Sequence, residues 1–151
     1  MSAHILDGKE IAEKVLADIR RETTRIKDET GKTVRILNIL IGDDIGAQKY
    51  AAAQRRVAEQ AGILYELKTF DPDISQSDLQ DFLEKTGQDP SITGVMVHRP
   101  LPGHIHEQAV FNQIHPLKDI EGMNARNIGN IVTGQGHLIP CTAAAVMEHL
   151  K

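Results

Sequence analysis

The sequence predicts an α/β fold, an open and mostly parallel sheet flanked by helices, on two observations. Short runs rich in β-branched residues alternate with longer segments of helical period, and turn residues separate them. Helices between successive strands imply right-handed crossovers and parallel neighbours, so the pattern reads βαβαβ after one leading helix.

From Asp7, which suits an N-cap, apolar residues recur at Ile11, Val15, Leu16, Ile19 and Ile26 until Gly31, predicting a helix over 8–29. Val34 to Ile41 is β-branched and aliphatic and stops at Gly42, the pattern of a mostly buried strand. Residues 46–61, rich in Ala, Gln, Arg and Glu, predict a second helix closed by Gly62. Ile63 to Thr69 reads as a strand, Ser75 to Thr86 as a helix opened by a Ser75/Asp78 capping pair, and Ile92 to His98 as the third strand. A short helix follows near 106–114. Residues 116–136 hold Pro116, Gly122, Gly129, Gly134 and Gly136 and are expected to be irregular. Thr142 is expected to cap a last Ala-rich helix over 143–149.

Composition bounds the function. A chain of 151 residues is most simply one domain, 1–151. It is 40% hydrophobic and 25% charged, which argues against both a disordered and a membrane-embedded chain. Seventeen Lys and Arg against twenty-one Asp and Glu give a net charge of −4, so nothing pulls the chain generally towards nucleic-acid phosphates, and no local basic patch appears. Asp7, Lys9 and Glu10 interrupt the amino terminus before any long apolar run, so neither a secretory signal nor a membrane span is expected. The single cysteine, Cys141, excludes an intramolecular disulfide and is compatible with a reducing compartment; the cytoplasm is the expected location.

Gly134-Gln135-Gly136 lacks the third glycine and the strand-to-helix setting of a dinucleotide fingerprint, and neither a Walker phosphate loop nor a nucleophile elbow is present. No cofactor is therefore expected on this chain alone. His104 and His106, with His98 or Glu107 nearby, invite a metal reading, but ligand spacing is missing and ordinary surface histidines are the better account. Cys141 has no partner signature of a nucleophile. In open parallel sheets ligands bind beyond the carboxyl ends of the strands, here Gly42 to Gly46, Phe70 to Pro72 and His98 to Gly103. Tyr50, the segment His98 to Pro102 and the segment Lys118 to Gly122 are predicted to meet there. An aromatic ring beside a rigid Pro-Leu-Pro turn and polar groups suits a planar, partly polar ligand, although a tyrosine packed on its own helix and a proline-rich turn closing the sheet fit equally well.

The motifs in order are Leu6-Asp7-Gly8-Lys9, Ile41-Gly42 with Gln48 and Tyr50, Gly62-Ile63, Gly94-Val95-Met96-Val97 and Pro100-Leu101-Pro102. His115-Pro116-Leu117-Lys118-Asp119, Gly122, Asn127-Ile128-Gly129 and Pro140-Cys141-Thr142 follow. Together they resemble the bifunctional 5,10-methylenetetrahydrofolate dehydrogenase/5,10-methenyltetrahydrofolate cyclohydrolase family, whose bacterial form is called FolD, over essentially the whole chain. The resemblance implies a folate-binding domain here, with a separate Rossmann-type domain for NADP or NAD reached through the helix beginning at Thr142. Since hydride transfer needs the nicotinamide held against the methylene carbon, this chain, ending within that connecting helix, is expected not to complete the dehydrogenase reaction alone.

Departures from the family's pattern fall on its catalytic set. Gln54 stands where the family carries its catalytic lysine, and an amide neither titrates nor carries charge. His98 replaces a glutamine that positions the lysine, Glu121 replaces a pterin-binding aspartate, Ala47 replaces a common serine, and Ala143 and Ala145 stand in place of Pro and Gly. Tyr50 is unchanged. The resemblance thus assigns Gln54 and His98 to the catalytic positions and Tyr50, Pro100 and Glu121 to the substrate. Two accounts fit: a retuned cyclohydrolase with His98 moving the proton, or lapsed catalysis in a surviving binder of reduced folate or a partner subunit of the same fold. The expected partners are a reduced folate or pterin-like small molecule, with a homo-oligomer or a separate dinucleotide-binding chain as the protein partner, and neither nucleic acid nor membrane.

Overall fold

The computed structural model describes residues 7–150, so Leu6 and Lys151 lie outside the described residues. The elements are α1 (Gly8–Thr30), β1 (Arg35–Ile41), α2 (Ile45–Gln60), β2 (Leu64–Phe70), α3 (Gln76–Gln88), β3 (Gly94–Val97), α4 (Glu107–Gln113), α5 (Ala125–Val132) and α6 (Cys141–His149). The three strands form a parallel sheet in the order β2-β1-β3, with Asn38 paired to Leu67 on one side and Met96 on the other. This is the predicted α/β architecture.

A central parallel strand is covered on both faces, which explains why β1 is a nearly continuous apolar run. Leu37, Ile39 and Ile41 join Val95 and Val97 in the core beneath Leu79 and Leu83 of α3 and Val110 and Phe111 of α4. Alternation turns Asn38 and Met96 to the opposite face, under α2. There α2 contributes small side chains, the buried Ala47, Ala51 and Ala58, which let the helix approach the sheet closely. At the far end of α2 the buried hydroxyl of Thr23 donates to the Ala61 carbonyl at 2.6 Å and ties α1 to this layer.

Beyond β3 the sheet is extended by one short parallel bridge. The Val95 N–H donates to the Lys118 carbonyl at 2.6 Å and the Ile120 N–H donates to the Val95 carbonyl at 3.3 Å, so Asp119 lies opposite Val95. Buried Asp119 then anchors the following turn: its Oδ2 accepts from the Asn124 N–H at 2.8 Å and from Asn127 Nδ2 at 2.9 Å.

Two expectations are corrected here. Residues 116–136 are not irregular throughout, because α5 forms within them. Asn124 caps α5 by accepting from the Arg126 N–H at 2.8 Å, while its Nδ2 donates to the Phe111, Asn112 and Ile114 carbonyls at the end of α4. One side chain thereby satisfies orphan groups of two helix ends, and this outweighs the low helix propensity of Gly129. Thr142 does not cap the last helix: α6 starts at Cys141 after Pro140, with no side-chain cap. By contrast Asp7, Asp44 and Ser75 each accept a backbone N–H at the head of α1, α2 and α3, as N-caps do.

Candidate functional site

The carboxyl end of β3 delivers His98, which is 2% exposed although the chain leaves the sheet at that point. Its backbone N–H donates to the Ile39 carbonyl at 2.8 Å, which fixes the residue against the central strand. Tyr50, on the first half of α2, stands over it with ring centroids 5.9 Å apart and planes at 85°, an edge-to-face contact. Tyr50 itself is 56% exposed, so one part of its ring rests on His98 and the remainder faces solvent. Next along the chain, a cis peptide joins Arg99 to the exposed Pro100.

Gln54 lies one helical turn beyond Tyr50 and is half-buried. Its Nε2 donates to Met96 Sδ at 3.2 Å, and its Oε1 accepts from the Tyr65 hydroxyl at 3.5 Å. Burial pushes the Tyr65 phenol up to about 12, so it is a neutral hydroxyl at ordinary pH. Sequence reasoning missed Tyr65 and Met96 as neighbours of this position. Their signal was the period of two on β2 and β3, which turns both towards α2.

Glu121 sits on the segment flanking β3, on the side away from β1, and is half-buried. Burial raises its carboxyl above the usual carboxylate range; Arg99 opposes that shift and Asp119 reinforces it. Arg99 spends part of its charge on Glu107, 3.6 Å away, and its guanidinium lies 5.8 Å from the Phe111 ring centre. The structure thus brings Tyr50 and His98 into direct contact, reaches Gln54 from His98's strand through Met96, and sets Pro100 and Glu121 at the same strand end. Lys118, expected at this cleft, is a correction. Its Nζ donates to the Thr86 and Asp89 carbonyls at 3.1 and 2.6 Å, closing the end of α3 towards the amino end of β3. A parallel bridge carries successive residues along the strand direction, so Lys118 and Glu121 point to different ends.

The other sequence candidates have local duties. His104 Nε2 meets the Ile74 carbonyl at 2.9 Å, and His106 caps α4 by accepting from the Ala109 N–H at 3.2 Å. Among the described residues no group of three His, Cys, Asp or Glu side chains is placed to hold a metal ion. Cys141 Sγ donates to the Ile120 carbonyl at 3.1 Å, and burial raises its thiol, as do Glu121 and Asp119, leaving it a poor nucleophile.

Burial depresses the His98 imidazole below its ordinary 6.5, so the ring is neutral at pH 7. The unfolded chain binds a proton at His98 before the folded one does, and the fold therefore loses stability as pH falls through 6.5 towards the lowered folded value. Urea unfolding at descending pH should show this slope, up to about one proton, in the wild type and lose it in His98→Asn. An identical slope in both proteins contradicts the assignment.

The tetrahydrofolate dehydrogenase/cyclohydrolase catalytic-domain model matches residues 6–121. The bifunctional protein FolD of Bacillus subtilis (strain 168) is 35% identical over 151 residues, which are 100% of this chain and 53% of that protein. The bifunctional methylenetetrahydrofolate dehydrogenase/cyclohydrolase FolD of Campylobacter jejuni superposes with a TM-score of 0.95 at 27% identity, over 99% of this chain and 53% of that one. FolD of Trypanosoma brucei, solved with NADP cofactor and an inhibitor, gives a TM-score of 0.90 at 25% identity over 99% of this chain and 52% of that one. The chain thus spans about half the length of the relatives it matches. The matched residues cover more than half of the chain and the fold agrees: the chain belongs to the tetrahydrofolate dehydrogenase/cyclohydrolase catalytic-domain family.

Proposed function

We propose that this chain binds a reduced folate at the carboxyl ends of β1 and β3, and that it lacks the lysine-driven hydrolysis associated with its family. The observation that supports this best is the pair formed by exposed Tyr50 and buried His98, with half-buried Glu121 across β3. A tyrosine ring held against His98 and otherwise open to solvent offers a stacking surface to a planar heterocycle. Glu121 supplies the complementary polar group. Among the described residues no hydrogen bond reaches its carboxylate, so the amino and ring N–H groups of a pterin would relieve its desolvation.

Tyr50→Ala should weaken tetrahydrofolate binding about 5- to 150-fold in titration calorimetry, the range of a lost aromatic stack. Unchanged affinity removes Tyr50 from the ligand's path.

Dinucleotide binding does not suit the residues present. The β1–α2 turn carries Asp43 and Asp44, with the Asp44 carboxylate already accepting the Ala47 N–H at 2.7 Å, and the β2–α3 turn carries Asp71 and Asp73. These are the turns whose backbone would face a pyrophosphate, and fixed negative charge opposes it. We therefore assign no cofactor to this chain alone, and hydride transfer would require a dinucleotide site supplied from elsewhere, such as a separate dinucleotide-binding chain. No helix among the described residues is long and apolar enough to cross a membrane. The location we assign is the cytoplasm, where a lone thiol stays reduced.

A second reading, a cyclohydrolase in which His98 moves the proton, is favoured by the state of the imidazole. A neutral ring at pH 7 is a competent base, and His98 adjoins the face where Tyr50 would hold the ligand.

A further inference from the structure

Gln54 occupies the sheet-facing row of α2. With Ala47, Ala51 and Ala58 it completes the 47, 51, 54, 58 spacing of one helix face, and it is the long polar member of an otherwise small apolar row. Its carboxamide is tied at both ends. Nε2 reaches Met96 on β3 at 3.2 Å, and Oε1 reaches the Tyr65 hydroxyl on β2 at 3.5 Å. Since β1 lies between those strands, the amide spans the sheet crosswise above the central strand.

The two partners are chemically unequal, and this fixes the amide's direction. A thioether has lone pairs and no proton, so only the N–H side of a carboxamide can pair with Met96. The oxygen must then face β2, where a neutral phenol has a proton to give. The Tyr65 ring is held in turn by the Arg55 guanidinium, 5.5 Å from its centre.

We propose that Tyr65 is a positioning residue that sets the polarity of the cleft at position 54. It holds the Gln54 oxygen towards β2 and the nitrogen towards β3, the strand that leads to His98. One Nε2 hydrogen remains after Met96 is satisfied, so the ligand meets a hydrogen-bond donor at this position. The matching ligand atom is an acceptor, a carbonyl oxygen or an unprotonated ring nitrogen of a planar heterocycle. A freely turning amide would offer donor or acceptor alike; the tyrosine makes the site selective. This inference rests on the folate reading of the cleft and adds a residue to it.

A double-mutant cycle with tetrahydrofolate as the probe tests it. Tyr65→Phe keeps the ring and its Arg55 contact and removes only the hydroxyl, and it should lower affinity about three- to tenfold. In a Gln54→Ala background the same substitution should change affinity less than about twofold, because its effect travels through the amide. No change in the wild-type background, or the same factor in both, overturns the proposal. A ligand-free readout separates this from the folate reading: the Gln54 side-chain NH2 signals in 1H–15N NMR spectra should move in Tyr65→Phe. Unmoved signals overturn the positioning role, whereas moved signals in a protein that does not bind tetrahydrofolate support it and overturn the folate reading alone.

Discussion

Gln54→Lys is expected to raise methenyltetrahydrofolate hydrolysis about 10²- to 10⁴-fold above the wild-type chain, the contribution of one well-placed acid–base group. The amide at this position can donate and accept hydrogen bonds, but it cannot exchange a proton with water near neutral pH. An introduced ammonium would lie near the Met96 thioether and the neutral Tyr65 hydroxyl, where Gln54 now pairs. With no carboxylate bound there and partial desolvation, its pKa should fall towards the working range of a general acid or base. The assay runs on wild type, Gln54→Lys and His98→Ala together. Hydrolysis confined to the lysine variant means an intact cleft whose catalysis has lapsed. Wild-type hydrolysis that disappears in His98→Ala means that proton transfer has moved to the imidazole, and the lapsed account is then wrong.

Gly122→Ala is expected to cost about 2–4 kcal/mol of stability through strain and overpacking. Gly122 has φ of 67°, a region that alanine enters at a penalty. A Cβ there would lie 2.7 Å from the Ile139 carbonyl carbon and 2.9 Å from the Pro140 nitrogen, and both are backbone atoms that cannot turn aside. The damage falls on the contact between the Glu121 segment and the head of α6, so ligand affinity should fall along with stability. Gly129→Ala is the matched control. Nothing lies within 4 Å of its added Cβ, and within α5 alanine should gain about 0.5–1 kcal/mol. Urea unfolding of the two variants checks the pair, and equal behaviour would contradict the steric argument.

The legible parts of this fold were those in which local chemistry and tertiary packing agree. β1 was readable because a central parallel strand has no solvent face and so carries Leu37, Ile39, Leu40 and Ile41, interrupted only by Asn38. α1 and α3 announced themselves through Asp7 and Ser75, short side chains that cap only where a helix begins. α5 was hidden because its nucleus is tertiary. Asn124 closes α4 and opens α5 together, and glycines on either side of that event dominate a local reading. Yet Asn124 followed by Ile128 and Ile131 was a usable signal.

At the candidate site the carboxyl-end rule pointed to the ends of β1 and β3, while the resemblance supplied the residues proposed there. Which groups touch was another matter. Lys118 and Glu121 are three residues apart in sequence, but a short parallel bridge along β3 sends one to the end of α3 and the other towards Arg99. The environment of Gln54 depended on strand order. The period of two turns Tyr65 and Met96 towards α2, but they flank Gln54 only because β1 lies between β2 and β3, and the linear chain does not record that order.

Titration of the wild-type chain with tetrahydrofolate, followed by 1H–15N and aromatic 1H–13C NMR, tests the central claim most directly. The account predicts saturable shifts at the Tyr50 and His98 rings, the Gln54 amide and the Glu121 backbone, with the Lys118 backbone, held at the end of α3, moving little. Absence of saturable shifts, or shifts centred away from Tyr50 and His98, would contradict it.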